Sequence, residues 1–144
     1  MYAIEALYLN KCGLTDNEAI LLLQSVKDCQ NHKVRKIYLN DNHLKNGAAL
    51  KMAELLLDPG LRLKEIGLKW NQITAIGGNA IAKALEDNKE CMIFDISWNS
   101  IGIRPSDKKK PLTIPAGEVG KAWGGMFLKN ETLIHLDLSF NKIQ

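Results

Sequence analysis

The side chains best suited to catalysis or metal binding are few in this chain and widely separated. They are three histidines and three cysteines: His32, His43, His135, Cys12, Cys29 and Cys91. Metal sites need such residues at short, fixed spacings, and a catalytic site needs them to converge, but here they fall at unrelated positions. We therefore expect no enzyme activity, no cofactor or metal and no small-molecule substrate. We also expect the cysteines to be buried, reduced thiols.

The residues suited to binding another macromolecule are aromatic and basic. Large aromatic residues precede three asparagines, and Lys108, Lys109 and Lys110 follow one another in a proline-bearing stretch. The formal net charge is only +3, and lysines and glutamates are interspersed along most of the chain. Nucleic-acid binding usually needs a concentrated basic face, so we expect another protein to be the partner.

No segment indicates a membrane partner or export. The longest apolar run, residues 19–23, is far shorter than the roughly 20 residues that cross a bilayer. The N-terminus has neither the basic region nor the apolar region of a signal peptide. We therefore expect an intracellular, cytoplasmic protein.

One phrase recurs five times along the chain, at residues 4, 34, 63, 91 and 133. It reads apolar, two variable, apolar, one variable, apolar, two variable, Asn or Cys, one variable, apolar. The Asn or Cys positions are Cys12, Asn42, Asn71, Asn99 and Asn141, at intervals of 30, 29, 28 and 42 residues. A period of this size predicts a stack of supersecondary units, each of which buries its apolar face against its neighbours.

The elements within each unit follow from the hydrophobic period. Alternation around Leu7 and its equivalents predicts a short strand, and the Asn that follows predicts a turn whose amide bonds neighbouring backbone. Helix-period segments lie between the strands. The first opens on a Thr15–Glu18 capping box, and the apolar residues of the fourth include Val119, Trp123, Phe127 and Leu128.

A helix in every 28–30-residue unit resembles the ribonuclease-inhibitor-like class of leucine-rich repeats. The resemblance implies an α/β solenoid shaped as an arc of a horseshoe, with a parallel sheet on the concave side and helices on the convex side. We expect a single domain over residues 1–144, with five repeats of which the last is truncated. An inserted loop should occupy residues 102–115, and the absence of polar caps suggests a fragment of a longer array.

Equivalent positions should align into columns on the sheet side. The column just before the Asn contains Lys11 and Asp41 and then three aromatic residues, which favours a binding edge. A second column grades from aromatic to acidic, and the inserted loop supplies basic residues. The predicted partner-binding residues are Trp70, Trp98, Phe140, Tyr8, Tyr38, Asp95, Asp137, Arg104, Lys108, Lys109 and Lys110.

The resemblance leaves three functional hypotheses open. The first is a protein-interaction scaffold that uses the concave and ascending-loop face, within a ciliary or cytoskeletal assembly. The second is a GTPase regulator similar to the activating protein of Ran, for which Arg104 is the candidate loop arginine. The third is the ligand-sensing arm of an immune receptor of the NOD-like type.

Overall fold

The computed structural model describes residues 4–29, 33–104, 114, 115 and 117–143. Strands and helices alternate along the chain in the order β1 (Ala6–Tyr8), α1 (Asp16–Asp28), β2 (Lys36–Tyr38), α2 (Asn46–Leu57), β3 (Glu65–Gly67), α3 (Ala75–Asp87), β4 (Ile93–Asp95), α4 (Glu118–Lys129) and β5 (His135–Asp137). All strand pairs are parallel and the sheet order is β1-β2-β3-β4-β5. The predicted leucine-rich repeat solenoid, with a parallel sheet on one side and helices on the other, is confirmed.

The core lies between the sheet and the helix layer. The middle residue of each strand points into it, and Ile37, Ile66 and Phe94 are completely buried. Small residues let the helices approach one another closely: a Cβ added at Gly77 would lie 2.6 Å from the Cβ of Ala49 on the preceding helix. The alternating pattern of the strands therefore selects the buried side chains, and small residues near the helix starts allow the helices of neighbouring repeats to pack closely.

The repeated asparagines form the predicted ladder. The Oδ1 atom of Asn42 accepts from the backbone N–H groups of Cys12 (3.1 Å) and Leu14 (3.0 Å) in the preceding repeat. Its Nδ2 atom donates to the carbonyls of Leu9 (2.9 Å) and Leu39 (3.0 Å). Each such side chain therefore joins two repeats through buried or half-buried backbone groups, and the arrangement recurs at Asn71, Asn99 and Asn141.

The helix ends are joined to neighbouring repeats in the same way. The capping box of α1 is present, with the Thr15 N–H donating to Glu18 Oε2 at 2.8 Å. At the other end of the helices, Asn88 follows α3 and its Nδ2 donates to the Leu56 carbonyl of α2 at 2.8 Å. Asn130, which follows α4, donates to the carbonyl of Leu85. Asparagines thus satisfy helix carbonyls that would otherwise lack partners.

The expectation of buried cysteines is wrong for two of the three. Cys91 is buried, and burial raises the pKa of its thiol to about 12. Cys12 and Cys29 are exposed. Cys12 lies in the turn after β1, which has a strand neighbour on one side only in the described chain. Cys29 follows the last residue of α1, where the backbone leaves the helix in an extended conformation.

The fourth helix also differs from its sequence pattern. Val119, Trp123 and Met126 face the core, whereas Phe127 and Leu128 are 63% and 89% exposed. One face of a helix contacts the layer beneath it, and residues three to four apart share that face. Because the apolar residues of this segment extend around the helix, the pattern predicted the helix correctly but not which residues it buries.

The predicted inserted loop lies between β4 and α4. Its first residues, including Arg104, are described, and residues 105–113 lie outside the described residues, as do the predicted binding residues Lys108, Lys109 and Lys110. Across the ranges that the structure describes, no helix is long and apolar enough to cross a membrane.

Candidate partner-binding surface

Three aromatic rings stack along the turns that follow β3, β4 and β5. The ring centroids of Trp70 and Trp98 are 4.3 Å apart at an interplanar angle of 6°, and those of Trp98 and Phe140 are 3.8 Å apart at 14°. We call these three residues the aromatic row. Equivalent positions of the recurring phrase therefore lie in register, as the sequence predicted, even across the interval of 42 residues before the last repeat.

The backbone holds the aromatic row in an unusual conformation. Trp70, Trp98 and Phe140 have φ angles of 55°, 55° and 58°, in the left-handed region. Lys11 and Asp41, at the equivalent positions of the first two repeats, have the same conformation. The turn of the repeat therefore requires positive φ, a region that glycine and asparagine occupy most easily and bulky residues rarely.

The left-handed turn is also tied to its neighbours by hydrogen bonds. The Asp41 N–H donates to the Lys69 carbonyl at 2.7 Å, and the Trp98 N–H donates to the Ser139 carbonyl at 2.9 Å. Such positive φ costs about 1–2 kcal/mol for a residue with a Cβ, whereas a stacked aromatic pair contributes about 0.5–1.5 kcal/mol beyond its burial. Stacking alone therefore does not offset the conformational cost of three bulky residues.

Much of the aromatic row remains accessible. Trp70 is 49% exposed and Phe140 is 64% exposed, while Trp98, between them, is half-buried. The rings pack on one another, and each still keeps part of its surface exposed. Exposed aromatic surface held rigidly in this way is typical of interface anchors.

A second aromatic pair lies on the sheet itself. The rings of Tyr8 and Tyr38 stack at 5.1 Å and 6°. The Tyr38 hydroxyl donates to the Glu65 carboxylate, which also pairs with Lys36 at 3.3 Å. Next along this column, a Cβ added at Gly67 would lie 2.7 Å from the Tyr38 ring. The hydrogen bond to Glu65 thus holds Tyr38 in place, and the missing side chain of Gly67 leaves room for its ring.

The environment of Tyr38 predicts a measurable titration. Burial and then the hydrogen bond to Glu65 raise the pKa of Tyr38 to about 12 from its ordinary value of 10.0. We expect one of the three tyrosines to ionise last in an alkaline absorbance titration, and Glu65→Gln to lower that pKa. The pKa of Tyr38 is higher in the folded chain than in the unfolded chain. The stabilisation linked to its protonated hydroxyl is therefore present below pH 10 and is lost as pH rises towards 12. A late-ionising tyrosine that persists in Tyr38→Phe would contradict the assignment.

The two predicted acidic residues are held by serines. One carboxylate oxygen of Asp95 accepts from the Ser97 N–H (3.0 Å) and hydroxyl (2.6 Å), and Asp137 accepts from the Ser139 N–H at 2.9 Å. Hydrogen bonds from Ser139 are the main cause of the lowered pKa of Asp137. Both aspartates end strands that lead directly into the aromatic row.

The structure brings some of the predicted binding residues together and not others. Tyr8 and Tyr38 lie in the first two repeats, and the aromatic row with Asp95 and Asp137 lies in the last three. Arg104 is half-buried on the connection after β4. No group of three or more histidines, cysteines or carboxylates that could hold a metal ion occurs among the residues that the structure describes.

Sequence reasoning missed a second line of hydrogen bonds on this surface. Asn10 Oδ1 accepts from the Asn40 N–H at 2.9 Å, and Asn40 Oδ1 accepts from the Lys69 N–H at 2.8 Å. It also missed the hydrogen bonds from Ser97 to Asp95 and from Ser139 to Asp137. Their signal was available, since the phrase Asp-x-Ser-aromatic-Asn occurs at residues 95–99 and again at 137–141. An aspartate two residues before a serine often forms such a turn.

Comparison with known proteins supports the repeat assignment. A family model described as Leucine Rich repeat matches residues 129–144. The chain is 30% identical over 96 residues to "NACHT, LRR and PYD domains-containing protein 9B" of Mus musculus, covering 67% of this chain and 9% of that protein. It is 27% identical over 99 residues to the ribonuclease inhibitor of Sus scrofa, covering 69% of this chain and 21% of that protein. The chain thus spans about a tenth to a fifth of the length of these relatives.

A solved structure has the same fold. It is "Leiomodin-1 Actin-Binding Site 2 (ABS2)", with a TM-score of 0.73 and 18% identity, covering 94% of this chain and 70% of that one. Three observations indicate the same type of repeat: the parallel sheet with one helix per repeat, the asparagine ladder and the similarity to these proteins. The chain has a leucine-rich repeat fold, and it is similar to proteins of the ribonuclease-inhibitor-like class.

Proposed function

We propose that this chain is an interaction scaffold that binds another protein through the aromatic row and the adjoining concave face of the sheet. One observation carries the proposal: three large aromatic residues occupy left-handed turn positions, stacked and accessible. Bulky residues at such positions raise the energy of the free protein. Rings that become buried in a complex would recover that cost in binding.

The physical properties of the row support a binding role over a packing role. Buried ring area contributes affinity, and a tryptophan loses little conformational entropy on binding because it has only two side-chain torsions. Here the neighbouring rings and the hydrogen-bonded turn restrict those torsions before any partner arrives. A partner would therefore meet a surface that is already organised, which reduces the entropic cost of association.

We also propose the kind of assembly to which the partner belongs. The solved structure with the same fold is named as an actin-binding site, and a relative is named as an inhibitor of a ribonuclease, so both names refer to protein partners. We propose a protein partner within a cytoskeletal or ciliary assembly in the cytoplasm.

Footprinting tests where the partner binds. The purified chain would be used to capture a partner from an extract of ciliated cells, and the complex would be labelled with hydroxyl radicals. We expect Trp70, Trp98 and Phe140 to be protected. Phe127 and Leu128, exposed apolar residues on the helix layer, serve as internal controls and should remain reactive. Protection confined to that pair would contradict the proposal.

A second candidate function is favoured by the relatives. Several are proteins whose names include NACHT and LRR domains, at 26–30% identity. The chain could accordingly serve as the ligand-sensing arm of a receptor. The discriminating observation is the full-length polypeptide, since this function requires a nucleotide-binding domain in the same chain.

The GTPase-regulator hypothesis rests on Arg104, on the connection after β4. Its test is the rate of GTP hydrolysis by Ran with the chain and with its Arg104→Ala variant. A faster rate that is lost in the variant would support regulation.

A further inference from the structure

The aromatic row lies beside two carboxylates that face each other across adjacent strands. Asp95 of β4 and Asp137 of β5 are direct partners in the sheet register. Neighbouring strands lie about 4.7–4.9 Å apart, so the two side chains emerge close together on the same face. Like charges directly opposite each other destabilise a sheet. This pair therefore raises the energy of the free protein, as does the left-handed row next to it.

The two carboxylates are oriented by hydrogen bonds in the free protein. Oδ1 of each accepts from a serine two residues later, and no other residue in the described part of the chain hydrogen-bonds either carboxylate. Hydrogen bonds from Ser139, and then the nearby His135 and Lys69, lower the pKa of Asp137 below its ordinary value.

Neighbouring cations offset this charge only partly. Among the described residues, neither Asp95 nor Asp137 forms an ion pair within 4 Å, whereas Glu65 on the same sheet pairs with Lys36 at 3.3 Å. His135 and Lys69 lie close enough to influence Asp137, but neither forms an ion pair with it within 4 Å. The side of the aromatic row that faces the sheet is thus acidic.

We infer that the partner segment seated on the aromatic row carries an arginine next to an apolar side chain. This inference rests on the proposed function and specifies the chemistry of the partner. The apolar side chain would pack on the exposed ring edges, and the guanidinium would reach the open oxygens of Asp95 and Asp137. A planar guanidinium both pairs with two carboxylate oxygens and stacks on tryptophan, whereas an ammonium is a single strongly hydrated charge.

The test uses a defined probe and isosteric variants. The probe is a blocked peptide of alternating arginine and leucine, titrated into the isotope-labelled chain while backbone amide shifts are recorded. The test variant combines Asp95→Asn with Asp137→Asn, in which the amide oxygen can still accept from Ser97 and Ser139. The matched control combines Asp28→Asn with Asp87→Asn, which makes the same change in net charge at the ends of helices α1 and α3.

We expect shifts to concentrate at residues 95–99 and 137–141 and to be absent with a peptide of alternating glutamate and leucine. The test variant should bind the arginine peptide about tenfold more weakly, from the loss of two partly exposed charge pairs, and the control should bind like the parent chain.

Four results would overturn the inference. They are an equal loss in the control, unchanged binding in the test variant, shifts spread over other surfaces, or no shifts up to the solubility limit of the peptide. Shifts at the row that depend on protein concentration without peptide would instead identify a second copy of the chain as the occupant. If the aromatic row is protected in footprinting while the aspartate variant binds normally, the proposed function is supported. The inference that the partner pairs an arginine with Asp95 and Asp137 is then wrong.

Discussion

Replacing Asn99 with alanine is expected to lower the free energy of unfolding by about 1–3 kcal/mol, because buried backbone groups lose their partners. Asn99 is 5% exposed. Its Oδ1 accepts from the buried Ile73 N–H at 3.0 Å, and its Nδ2 donates to the carbonyls of Leu68 and Ile96. The methyl group of alanine can serve none of these groups, and the change affects two repeats at once.

Asn79 provides the matched control. It lies on α3, and its Oδ1 is buried without a hydrogen-bond partner in the described part of the chain. Asn79→Ala removes that unpartnered atom and favours the helix, so we expect stability to be unchanged or increased. Urea denaturation of both variants measures the two effects. Equal midpoints for Asn99→Ala and Asn79→Ala would show that the ladder does not stabilise the stack.

The ladder and the alignment of the columns could be predicted from the sequence for one physical reason. A repeat of nearly constant length places equivalent residues side by side, so spacing alone predicts that Asn42 contacts the repeat of Cys12 and that Trp70 neighbours Trp98. Neither inference needs the detailed path of the backbone. The types of the elements could also be predicted, because apolar residues recur with different periods in strands and in helices.

Features that depend on local geometry could not be predicted in the same way. The positive φ of Trp98 contradicts the usual preference of bulky residues, and only its repetition at Lys11 and Asp41 shows that the turn imposes it. The contact between Tyr38 and Glu65 depends on side-chain torsions across two strands. Exposure of Phe127 depends on the rotation of α4, which an apolar segment without a clear polar face leaves undetermined.

Two features of the last three repeats raise the energy of the free chain, and they adjoin each other. The aromatic row adopts a conformation that costs energy, and Asp95 and Asp137 place like charges on neighbouring strands. In the first two repeats the same left-handed position holds Lys11 and Asp41, so the bulky aromatic residues at this position belong to the last three repeats. The tyrosine pair of the first two repeats is held by a hydrogen bond to Glu65. Unfavourable features in a stable repeat array tend to coincide with sites of function, because binding can relieve them.

Two substitutions at Trp98 separate binding by the rings from support of the turn. Trp98→Ala and Trp98→Asn both remove the ring and its two stacking contacts, at 4.3 Å and 3.8 Å. Asparagine adopts the left-handed conformation more readily than alanine, so the Asn variant should be about 1 kcal/mol more stable than the Ala variant. Both should bind the partner at least about 2 kcal/mol more weakly than the parent chain, close to thirtyfold, because both lose the same buried aromatic anchor.

The two roles are distinguished by whether the affinities of the Trp98→Asn and Trp98→Ala variants differ in the same way as their stabilities. If the row contacts the partner, chemical denaturation will separate the Asn and Ala variants while titration calorimetry gives them equal, weakened affinities. Phe127→Asn, which removes an exposed ring from α4, should leave affinity at the parent value. If Trp98→Asn instead binds more tightly than Trp98→Ala in proportion to its greater stability, the ring acts by holding the turn. The partner must then contact some other part of the surface, because a ring that it buries would be missed equally in both variants.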